Sequence, residues 1–121
     1  MTLYTSYFGN IRNIPHNFVL IAISSSVPDG ISCVWFPEFA PSVSVRNQFK
    51  NSGDLRTFRR KYEHSISSMN IVEKLQPFLD GDRTLVFLCY EKNAQMCHRS
   101  IFAEYLSKKL GMPVEEYRNK M

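Results

Sequence analysis

Thr84-Leu85-Val86-Phe87-Leu88-Cys89, then a polar stretch from Glu91 to Gln95, then His98 to Leu110: this is the segment that decides the fold. The first part has no charge and is rich in β-formers, which suits a strand buried on both faces. In the last part Phe102, Leu106 and Leu110 recur at helical spacing, with Ile101, Ala103 and Tyr105 widening the stripe. Lys108 and Lys109 favour the end of that helix, and Gly111 with Pro113 closes it. A buried strand that feeds an amphipathic helix through a polar turn is the repeating unit of α/β layer folds.

Upstream, Phe18 to Ile23 is a second apolar run of strand length, and Thr2 to Phe8 reads as a short first strand. Cys33 to Pro41 is aromatic and broken by prolines, so an irregular segment is expected. Ser42 or Ser44 starts a short helix that Gly53 ends. Asp54 caps the next, which runs to about Ser67 with Leu55, Phe58, Tyr62 and Ile66 facing inward. Asn70 is placed to cap a third, and Val114 to Tyr117 suits a last short strand. The chain therefore reads as one α/β domain over residues 1–121, a small three-layer domain with a largely parallel sheet and helices packed on it. Leu20, Ile21, Ile23, Leu85, Val86, Phe87, Leu88, Phe102 and Leu106 form its expected core.

The chain has 121 residues, 44% hydrophobic and 21% charged, which excludes disorder and coiled coil. No apolar stretch approaches the roughly 20 residues of a membrane span, so no membrane partner is expected. Met1 to Asn10 lacks the basic-then-apolar pattern of a secretion leader, and a cytoplasmic location is the expectation. In such a compartment the three cysteines, Cys33, Cys89 and Cys97, are expected as free thiols. The net charge of +4 is compatible with an anionic partner.

The chemistry-bearing residues concentrate where the central strand turns into the last helix. Cys97, His98 and Arg99 open that helix, whose N-terminus offers unpaired N–H groups and the positive end of a dipole. Arg99 carries a planar fork that grips a phosphate or carboxylate in two places. The dipole and Arg99 both lower the pKa of a thiol at Cys97. The expected site is thus an anion pocket with Arg99, Cys89, Tyr7 and Ser24 binding, and with Cys97, His98 and Glu91 as candidate nucleophile, acid or base. The structural alternative is that Cys89 is a small core residue, that His98 satisfies a loop carbonyl, and that Arg99 ties the loop to Glu91 or Glu104. Asn93, not a cysteine, stands where the phosphate loop of cysteine phosphatases carries its nucleophile. Cys89, Cys97 and His98 form an irregular set with no second pair, which His16 and His64 could complete only through the fold, so no metal and no cofactor is expected. Arg56, Arg59, Arg60 and Lys61, interleaved with Phe58 and Tyr62, form either a solvated helix face or a contact for nucleic acid.

Leu88-Cys89-Tyr90-Glu91-Lys92 followed by Cys97-His98-Arg99-Ser100 resembles the signature of the family called domain of unknown function 488. Tyr4 to Phe8, Pro28-Asp29 and the Phe58 to Tyr62 helix resemble it too, so the likeness extends over nearly the whole chain. The resemblance implies a small α/β domain of bacteria and their phages, with shared residues at Cys89, Glu91, Cys97, His98 and Arg99. It implies no settled activity. Many members carry an arginine in the loop after the second strand, where this chain has Ser24-Ser25-Ser26.

Two functions are compatible with these residues. One is an enzyme acting on a phosphorylated small molecule or nucleotide, by cleavage or transfer at a nucleoside glycosidic bond. The other is a non-catalytic phage or bacterial accessory protein that binds a nucleotide signal, a nucleic acid or a protein.

Overall fold

The computed structural model describes residues 1–91 and 98–118. Its strands are β1 (Thr2–Tyr7), β2 (Val19–Ala22), β3 (Val34–Trp35), β4 (Thr84–Cys89) and β5 (Val114–Glu116). Its helices are α1 (Val43–Ser52), α2 (Leu55–Ser67), α3 (Ile71–Leu79) and α4 (His98–Leu110). The strands form one sheet in the order β3-β2-β4-β1-β5, parallel throughout. β4 lies in the middle, with Phe87 opposite both Thr5 and Ile21 and Cys89 opposite Tyr7. That position explains its uninterrupted apolar run: Leu85 to Cys89 are all fully buried.

The helices lie on one side of the sheet, with α4 against the strands, α2 and α3 against α4, and α1 against α2. Leu3, Ile21, Leu85 and Phe87 meet Phe58, Tyr62, Ile66, Ile71, Leu75, Phe102 and Leu106 there. The other face, built on Ala22, Val86 and Leu88, is covered more thinly by Phe8 and Ile14, around a 3-10 turn over Phe8–Asn13. The third layer is therefore a turn and its flanking loops rather than α-helices. This is why Leu20, expected in the core, is only half buried: its side chain faces the thin cover. The other expected core residues are buried.

Local chemistry starts and stops the helices. The Ser42 hydroxyl accepts from the Val45 N–H at 3.2 Å, and the Asp54 carboxylate from the Thr57 N–H at 3.1 Å. Gly53 takes the left-handed conformation (φ 68°) and its N–H reaches the Phe49 carbonyl at 2.7 Å, so α1 ends and the chain turns into α2. Asn70 stands at the start of α3 but gives no side-chain cap; its amide donates to Glu73 instead.

Two further expectations are corrected. Cys33 to Pro41 is not irregular throughout: Val34 and Trp35 pair with Ile21 and Ala22 as β3, and Pro37–Phe39 forms a 3-10 turn. Pairing with β2, as the edge strand of the sheet, overrides the local signals, and the prolines fall just outside the paired residues. The three cysteines are not all thiols: Cys33 is free, whereas Cys89 is disulfide-bonded. An odd count guarantees one unpaired cysteine, not three.

Candidate functional site

The strand-to-helix junction is built around Arg99, in the first turn of α4. Its side chain is fully buried. Nε donates to Glu116 Oε1 at 3.0 Å and Nη2 to Glu116 Oε2 at 2.8 Å, a two-pronged grip on β5. Nη1 donates to Cys89 Sγ at 3.0 Å and to the Glu91 carbonyl. The guanidinium carbon lies 5.8 Å from the centre of the Tyr7 ring. Arg99, Cys89, Tyr7 and Glu91 are thus brought together as expected, but the fork is aimed at a carboxylate of the protein. That carboxylate is Glu116, while Arg99 does tie the loop to Glu91, through the backbone carbonyl. Glu104 is engaged by Arg59 and, at 3.6 Å, by Lys108. Arg99 clamps the end of β4 to β5.

His98 is buried beside it. Its Nε2 lies 2.7 Å from the Ile23 carbonyl, so that nitrogen carries the proton and donates. The ring meets Tyr62 edge-on at 5.4 Å. Burial pushes the imidazole below its ordinary value of 6.5, with Arg99 and Arg46 adding to the effect. The Ile23 carbonyl and Glu91 oppose it. Ser24 is buried, and its hydroxyl bonds the Ser26 carbonyl at 2.5 Å, which makes it a turn residue. Cys97 lies outside the described residues.

Glu91 and His98 do face a cavity, of about 560 Å³. Its other wall comes from α1 and α2: Arg46, Asn47, Phe49, Lys50 and Phe58, with Pro41 and Gly53 at the margins. Arg46 and Lys50 stand one turn apart on α1, a helix without a single acidic residue. Among the described residues neither makes an ion pair. The rings of Phe49 and Phe58 pack together at 4.8 Å and give the cavity an aromatic floor. A second cavity, of about 450 Å³, is lined by Glu104, Glu115 and Glu116 against Lys108 alone, and its charge disfavours an anion.

Sequence reasoning missed Arg46, Lys50 and Glu116. The signal for the first two was present: two cations one turn apart on a helix that carries no acid. Glu116 had no local signal, because Arg99 reaches it only through the pairing of β5 with β1. The basic run on α2 is partly spent within the fold. Arg59 is paired with Glu63 at 2.8 Å and with Glu104, and Lys61 donates to Gln48, whereas Arg56 and Arg60 are exposed. Among the described residues no group of three or more His, Cys, Asp or Glu side chains is placed to hold a metal ion. No helix there is long and apolar enough to cross a membrane.

These features define a class: a small α/β domain with a parallel sheet and a basic, aromatic-floored cavity beside the carboxyl end of its central strand. Residues 8–106 match the model of the family described as domain of unknown function DUF488, and the chain belongs to that family. No curated protein and no solved structure matches the chain.

Proposed function

We propose that this protein binds a phosphorylated nucleoside in the cavity between α1, α2 and the start of α4. The observation that carries the reading is the coincidence in one cavity of about 560 Å³ of the Phe49–Phe58 floor with Arg46 and Lys50, two cations without an ion pair among the described residues. That volume is within the range of small-ligand sites. The two cations suit a phosphate, and the aromatic floor suits a base. The position, outside the carboxyl end of β4, is where open parallel sheets place ligands. Of the two functions compatible with the sequence, binding needs only these groups. Cleavage at the glycosidic bond draws in addition on Glu91, a carboxylate on the same cavity.

Titration calorimetry with inorganic phosphate and adenosine monophosphate tests the reading. Binding of the nucleotide, weakened about tenfold or more when Arg46 and Lys50 are both replaced by alanine, is expected. Unchanged affinity in that variant would overturn it. Chromatography of the recovered nucleotide separates the two functions: an intact ligand marks a binding protein and a released base marks a glycosidic cleavage.

A further inference from the structure

The cavity is polar in two opposite senses. Arg46 and Lys50 come from α1, while Glu91 comes from the turn after β4. Glu91 is exposed, and its carboxylate makes no ion pair among the described residues. Its backbone is held all the same, because buried Arg99 donates to its carbonyl. A bare phosphate gains from the two cations but is repelled by this carboxylate. The matching ligand carries its negative charge at one end and hydrogen-bond donors at the other, since a carboxylate only accepts.

We infer that Glu91 accepts the hydroxyls of a ribose, so that the cavity selects ribonucleotides over deoxyribonucleotides. The inference rests on the nucleotide reading proposed above and adds the sugar to it. Phosphate lies at Arg46 and Lys50, the base on Phe49 and Phe58, and the ribose between them, within reach of the β4 turn. A carboxylate is the group that dinucleotide-binding sheets use for the ribose hydroxyls, for the same reason: a vicinal diol offers two donors to two oxygens. Arg99 is on this view a positioning residue, which fixes the backbone that presents Glu91.

The experiment compares adenosine monophosphate with its 2′-deoxy counterpart by calorimetry, on the wild type and on Glu91→Gln. The wild type is expected to prefer the ribonucleotide by about 10- to 100-fold, the worth of a hydrogen bond to a charged group. Glu91→Gln is expected to shrink that preference several-fold or more and to bind inorganic phosphate at least as well as the wild type. Because the Glu91 side chain is exposed, the variant should melt with the wild type, which a thermal scan checks. Equal affinity for the two nucleotides in the wild type, or an undiminished preference in Glu91→Gln, overturns the ribose assignment alone. Failure of both nucleotides to bind the wild type overturns the nucleotide reading and this inference with it.

Discussion

Arg99→Ala should unfold this protein more readily without first acting on a ligand. The substitution removes two hydrogen bonds to Glu116 and one each to Cys89 Sγ and the Glu91 carbonyl. It also leaves the Glu116 carboxylate, only 22% exposed, without its cation, with the Thr5 hydroxyl still donating to it at 2.6 Å. Breaking a buried ion pair by removing one partner costs about 3–5 kcal/mol. The pair here is half protected, since Arg99 is sealed while Glu116 keeps some water, so the lower half of that range is the better expectation. For a chain of this length each kcal/mol moves the melting temperature by roughly 4 °C, and a fall of about 12–16 °C is expected. Circular dichroism melts of Arg99→Ala against Arg118→Ala, an exposed arginine near the C-terminus, provide the measurement; the control should stay within about 2 °C. Glu116→Gln, which keeps the volume and strands the guanidinium, should fall in the same direction. The reasoning fails if Arg99→Ala melts with the control while phosphate affinity drops, because the fork would then serve a ligand and not the fold.

Phe87→Ala, at a fully buried site in the central strand, should cost about 3–5 kcal/mol in denaturant unfolding; a loss under about 1 kcal/mol would mean that the site collapses without a cavity. His98 should make the fold acid-sensitive. Its folded pKa is below the unfolded 6.5, so the unfolded chain binds the extra proton first, and stability is complete above that value and falls as the pH drops through and below it. Melts from pH 8 to 5 should show this loss in the wild type and much less of it in His98→Gln. Glu38, lowered by backbone bonding and by Lys74, and Glu104, lowered by Arg59, act in a separate window below about pH 4.5. Alkylation of the unfolded, unreduced chain should label Cys33 and spare Cys89, and mass spectrometry of the peptides reads the result. In the folded protein Cys33 should react slowly, because burial raises its thiol pKa.

The sequence by itself determined the class of the fold. Thr84 to Cys89 has no charge to place in water, so it had to be an inner strand, and the stripe of Phe102 and Leu106 had to face a sheet. Ser42, Asp54 and Gly53 placed helix ends through bonds that span only a few residues. Such signals are local, and a single chain segment carries them whole. Tertiary structure decided what two or more distant segments decide together. β3 exists because β2 offers it an edge, and Leu20 stays half exposed because only a turn covers its face. The fate of Arg99 was settled in the same way: an arginine at a helix start is equally able to hold a ligand or a carboxylate. The β1–β5 pairing brings Glu116 to its fork, and the bidentate bond forms with Arg99 fully buried. The cavity itself has walls from α1, α2 and the β4–α4 junction, and no one of these stretches contains it.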